Sequence, residues 1–170
     1  MSKSRLSLGV YIFSTLLIML LIFAFSSQEA TASRELSESI LYKIPLYFRV
    51  EINEEALMEH YKVLIRKLAH FVLYFALGAS SFMMFSEAER FRKSRLSAGG
   101  SAFVFSVSYA ASDELHQYFV PGRSMQIADI LLDSAGALTA ILFLSTVIKL
   151  VFKRREERME YEQASSTKKE

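Results

Sequence analysis

Residues 112–133 read SDELHQYFVPGRSMQIADILLD, and they hold most of the groups in this chain that could do chemistry. Asp113, Glu114, His116, Gln117, Arg123, Asp129 and Asp133 fall within twenty-two positions, and apolar sequence adjoins both ends. A second group, Arg66, Lys67 and His70, opens another apolar stretch. Three kinds of chemistry fit these residue types. The histidines and carboxylates could hold a divalent metal, although no metal-ligand spacing is recognisable. His70 or His116, with Asp113 or another acid, could perform general acid–base work. Arg66, Lys67 and Arg123 could hold a phosphate or carboxylate, with arginine supplying the bidentate geometry. Ser112 has no nucleophile elbow around it, and the absence of cysteine excludes disulfides, thiolate catalysis and zinc–thiolate sites. The His-Glu-x-x-His spacing of zinc hydrolases is absent too. No metal or other cofactor is expected from the sequence.

The elements around these residues are hydrophobic. The 170-residue chain is 52% hydrophobic, with mean hydropathy +0.24, which is high for a soluble domain. Leu6 to Phe25 carries no charge and matches the roughly 20 residues a helix needs to cross hydrocarbon. Further candidate spans run over about 63–85, 96–118 and 125–148. Four such stretches joined by short connections cannot all be buried in so small a globule. The expected fold is all-α, a polytopic bundle of four transmembrane helices. Ala30-Thr31-Ala32 resembles a signal-peptidase site, but the preceding apolar run exceeds the usual 7–15 residues, so the first span reads as a retained anchor.

Positive charge sets the orientation. Lys3 and Arg5 precede the first span; Arg90, Arg92, Lys93 and Arg95 crowd the 86–95 loop; KRREER follows the last span. Residues 26–61 carry Arg34, Lys43 and Arg49, outnumbered by acids such as Glu29, Glu35, Glu51 and Glu54. The positive-inside rule then puts both termini in the cytoplasm and the PGR turn outside. Leu36, Ile40, Leu41 and Ile44 form an apolar stripe, so the 26–61 segment is expected to contain an outward-facing amphipathic helix that ends at Pro45. A further helix is expected from Asn53, its N-cap, to Phe85. Residues 1–152 form the expected transmembrane domain, and 153–170 a solvated, partly disordered cytoplasmic tail.

This topology gathers the ionisable groups into one layer at the outer face. Lys67, His70 and Tyr74 share a helix face, as do Asp113, His116 and Gln117, and Asp129, Asp133 and Gly136. A charge facing lipid costs a few kcal/mol at mid-bilayer. The faces should therefore turn toward one another and form a polar pocket open to the outside, with Gly136 and Gly78 admitting close helix approach. Blander readings stand beside this one. Lys67 and Glu114 are long enough to snorkel into the headgroup zone. Asp129 and Asp133 could simply pair with Arg66 or Arg123, and His70 could be an interhelical hydrogen-bonder.

Three segments resemble the VanZ-like membrane family: FSSQ after the first span, RKLAHFVLYFALG in the second, and DELHQYFVPGRSMQIADILLDSAGALTA across the third and fourth. Lys67, His70, Phe71, Tyr74, Leu77 and Gly78 fit the family's second-span pattern. Asp113, Glu114, His116, Gln117, Phe119, Gly122 and Arg123 fit the next, and Asp129, Asp133 and Gly136 the last. Asp133 stands where asparagine is commoner. The resemblance implies a small multi-pass protein of the bacterial cytoplasmic membrane, whose family namesake is associated with low-level resistance to the lipoglycopeptide teicoplanin. It implies no established catalytic residue.

Two functions compete. In the first, Arg66, Lys67, His70, Asp113, Glu114, His116, Gln117, Arg123, Asp129 and Asp133 bind an outer-leaflet lipid headgroup, a cell-wall precursor or a lipoglycopeptide. In the second, His70, His116 or Asp113 catalyses hydrolysis or transfer on an envelope lipid. The lipid bilayer is an expected partner under both, and nucleic acid under neither. A transporter is disfavoured because the inner halves of the spans read as almost purely apolar.

Overall fold

The computed structural model describes residues 3–28, 55–88 and 94–167. Every regular element among them is an α-helix: α1 (Lys3–Ser26), α2 (Glu55–Glu87), α3 (Arg95–Tyr118) and α4 (Ile127–Thr167). The expected amphipathic stripe Leu36–Ile44, the Asn53 cap and the basic residues 90–93 lie outside the described residues.

Three of these helices are long and apolar enough to cross a membrane, over Leu6–Ser26, Tyr61–Glu87 and Ile127–Met159. The third expected span, α3, has sufficient length at 24 residues but not the composition. Ser97, Gly99, Gly100, Ser101, Ser106, Ser108 and Ser112 dilute its apolar residues, and Asp113 and Glu114 fall inside it. The outer surface of the bundle suits lipid rather than water. Phe13, Leu20, Val72, Val104, Leu131 and Phe143 are all exposed, a display that a soluble protein of this size does not tolerate.

α2 is the central helix and packs against α1, α3 and α4. Its most extensive partner is α4, and glycine is the reason. A Cβ on Gly78 would lie 2.5 Å from the Ala137 carbonyl oxygen; one on Gly136 would lie 2.6 Å from that of Phe71. The two backbones touch directly at both places, the close approach that small residues permit in a bilayer. Two apolar clusters fill the interior. Ile22, Tyr74, Leu77 and Ala110 form one, beneath the polar layer; Phe82, Ala98, Ala102 and Ile141 form the other, toward the opposite end. Around the latter the buried polar groups are hydroxyls. Thr15 and Ser80 bond each other at 2.8 Å, and Ser106 bonds back to the Ala102 carbonyl.

Local sequence explains the ends. Ser94 caps α3 by accepting from Ser97 N at 3.2 Å. Between α3 and α4, Arg123 N donates to Val120 O at 3.1 Å across Pro121-Gly122. Gly122 has φ 75°, so Pro at the first central position and glycine at the second give the type II pattern. α4 does not stop at the membrane. It continues to Thr167, about 60 Å in all at 1.5 Å per residue, where a partly disordered tail was expected. The segment after Phe152 has no glycine or proline, is rich in Glu, Arg and Lys, and carries a Lys153–Glu157 pair at 3.8 Å one turn apart.

Candidate functional site

The expected polar layer forms where α1, α2, α3 and α4 meet at one end of the bundle, and it is paired more tightly than its sequence spacing suggests. Lys67 on α2 forms an ion pair with Asp129 on α4. One turn further along each helix, His70 Nδ1 lies 3.6 Å from Asp133 Oδ2. On α3, Asp113 Oδ2 accepts from Ser26 Oγ of α1 at 2.8 Å and from Gln117 Nε2 at 3.1 Å. Gln117 Oε1 in turn accepts from Arg123 Nη1 at 2.9 Å. A continuous chain of bonds thus runs Arg123–Gln117–Asp113–Ser26 and ties the Pro121-Gly122 turn to α1.

Glu114 does not snorkel. It is 1% exposed, and its Oε2 accepts from the backbone N–H of Gln126 at 2.8 Å. Gln126 starts α4, its carbonyl accepting from Asp129 N and Ile130 N, so Glu114 places negative charge at the positive end of that helix. Lys67 is not a simple headgroup residue either, since Asp129 holds it. Arg66 and Arg123 differ from it. Neither has a carboxylate within ion-pair distance among the described residues. Arg123 Nε is buried without a partner there. Burial lowers the Arg123 pKa from its ordinary value and Arg66 adds to the effect, while Asp113, Glu114 and Asp129 oppose it. Arginine stays charged throughout.

A cleft opens here, lined by Arg66, Lys67, His70, Glu114, Gln117 and Asp129, with Leu132 and Asp133 at its base. Its volume, about 10 Å³, has room for a single water-sized group. The site is therefore a close-packed polar network with a narrow mouth rather than the roomy pocket the sequence suggested.

His116 stands apart. Its ring stacks on Phe23 of α1 at 4.7 Å between centroids, and its Nε2 lies 3.1 Å from Ser27 Oγ. The helical rotation of ~100° per residue explains the split. Gln117 lies ~40° to one side of Asp113 and His116 ~60° to the other, so one turns to the Arg123 side and the other to the flank of α1. Two partners were not among the expected site residues. Ser26 belongs to the FSSQ segment that follows the first span, where helix termination was the plain alternative, and its place at the polar end was the usable signal. The Gln126 backbone N–H leaves no signal in side-chain types.

The family model VanZ/LLP1 matches residues 11–150, a range that includes every residue of this network. Neither the curated proteins nor the solved structures compared with the chain give a match. The motifs on α2, α3 and α4 and the extent of the match agree, and the chain belongs to the VanZ/LLP1 family.

Proposed function

We propose that this protein crosses the bacterial cytoplasmic membrane four times, with both termini inside, and binds an anionic group at its outer face through Arg66 and Arg123. The ligand class is a phosphate or carboxylate carried by a lipid headgroup, a cell-wall precursor or a lipoglycopeptide. The observation that carries this reading is that Arg66, which lines the cleft, and Arg123, which donates to the cleft residue Gln117, both lack a carboxylate at ion-pair distance among the described residues. Guanidinium pairs of this kind are suited to fork-like binding of oxyanions. The small cleft limits the contact to the charged end of the ligand and leaves its apolar part in the bilayer. α3 completes the four-span bundle in this reading, its serines and acids facing neighbours rather than lipid. Residues 1–152 are the membrane domain, and the rest of α4 is a cytoplasmic extension.

Purified protein in detergent should be stabilised by phosphatidylglycerol more than by phosphatidylcholine. Arg66→Ala and Arg123→Ala should each weaken that preference about tenfold, as expected for loss of a charge-assisted bond. Equal response to the two lipids, or unchanged binding in both variants, contradicts the reading. The competing reading, an intramembrane hydrolase or transferase, draws on His70 beside Asp113 and Asp133, and turnover of a lipid-linked substrate abolished by His70→Ala would favour it.

A further inference from the structure

Below the two arginines, His70 of α2, Asp113 of α3 and Asp133 of α4 bring one ligand atom each within 4.8 Å of one another. The cluster sits about 8–9 Å along α3 and α4 from their ends at the polar layer and about 14 Å from the start of the apolar span Tyr61–Glu87 on α2, taking 1.5 Å per residue. Asp133 is fully buried, and neither of its carboxylate oxygens accepts a hydrogen bond from the described residues. Its nearest donor, His70 Nδ1, is 3.6 Å away, too far for a hydrogen bond. The Tyr74 hydroxyl is also buried without a partner and lies within electrostatic range of both acids. Buried carboxylates lacking donors are paired or coordinate metals. Asp113 is oriented as metal ligands are, with Ser26 and Gln117 both holding Oδ2 while Oδ1 accepts nothing from the described residues.

We propose that His70, Asp113 and Asp133 form a binding site for one divalent first-row transition cation, with zinc as the fitting probe. Two carboxylates balance the double charge, and one imidazole with two oxygens suits a borderline cation. Calcium, which takes six to eight oxygens, is poorly served by three donors, one of them nitrogen. His70 and Asp133 also line the cleft, so a water-sized ligand can reach the ion from the outer face, and the Tyr74 hydroxyl is available to bond it. The sequence offers the histidines and carboxylates but no ligand spacing, because the three ligands come from three helices. The inference goes beyond anion binding at the arginines and does not depend on it, since metal content is measured without lipid.

The experiment is zinc titration of the purified full-length protein in detergent against a chromophoric chelator, with elemental analysis after gel filtration. Wild type is expected to retain about one equivalent of zinc at neutral pH. Asp133→Asn keeps the side-chain size and leaves α4 intact, and it should weaken zinc binding about tenfold or more. His70→Ala should do the same, but the isosteric Asp133→Asn decides the matter if His70→Ala fails to fold. Wild type that binds no zinc, or an Asp133→Asn protein that binds it as wild type does, overturns the proposal. Zinc held elsewhere, for instance by the acidic residues of the α4 extension, would show as binding insensitive to Asp133→Asn and counts against it.

Discussion

The two ends of the helix bundle are built on different physics. At the polar end, ionisable side chains gather and several are held by a named partner: Lys67 by Asp129, Glu114 by the Gln126 N–H, Asp113 by Ser26 and Gln117. At the apolar end, Phe82, Ala98, Ala102 and Ile141 pack with no charge among them, and Thr15 with Ser80 supplies a hydrogen bond between α1 and α2. Lipid tails are as apolar as leucine, so the apolar end gains little from burial and relies on close packing. The polar end gains specificity, because a rotated or shifted helix would strand charges in hydrocarbon. The polar end therefore sets the register of the helices, and the apolar end lets them approach.

That contrast can be broken by substitution. The largest effect should come from Gly136→Leu, which acts on both ends at once. Its side chain would have to enter the space of the Phe71 carbonyl and ring, and overpacking of this kind costs about 3 kcal/mol or more. A thermal unfolding series in detergent should show the variant far below wild type or failing to fold. Glu114→Ala comes next. It leaves the Gln126 N–H unsatisfied at the start of α4, for about 1–3 kcal/mol. Thr15→Ala removes the hydroxyl bond to Ser80 at the apolar end, and interhelical bonds of this type are worth roughly 0.6 kcal/mol in a membrane protein. If Thr15→Ala proves as costly as Glu114→Ala, the distinction between the ends fails. The smallest effect belongs to Lys153→Ala, where a largely exposed i,i+4 pair contributes at most about 0.3–0.5 kcal/mol. A helix-content measurement should find α4 nearly unchanged.

The amino-acid pattern made the gathering of polar groups legible, because charges cannot be left in lipid and periodicity tells which share a face. It also marked Gly78 and Gly136 as contact points, and both are backbone contacts with the facing helix. Pairing was less legible. Asp129 and Asp133 are one turn apart on the same face, yet one meets Lys67 and the other His70. Adjacent Asp113 and Glu114 diverge by a helical step, toward α1 and toward the start of α4. Which of several acids meets which base depends on interhelical offset, and single-helix periodicity does not contain it. The closeness of His70, Asp113 and Asp133 was hidden for the same reason, and His116 was assigned to the cluster although it flanks α1. The long extension of α4 was legible in propensity, since its sequence has no breaker; the weight of charge there masked it.

The central claim is that the polar layer faces the outside of the cell. Because the chain has no cysteine, single substitutions give a clean readout. Ser124→Cys, beside the PGR turn, and Met159→Cys, on the exposed extension of α4, can be treated on intact cells with a membrane-impermeant maleimide. The account predicts that Ser124→Cys is labelled at once and Met159→Cys only after the membrane is permeabilised. The reverse pattern would put Arg66, Arg123 and the cluster beneath them at the cytoplasmic face and contradict it.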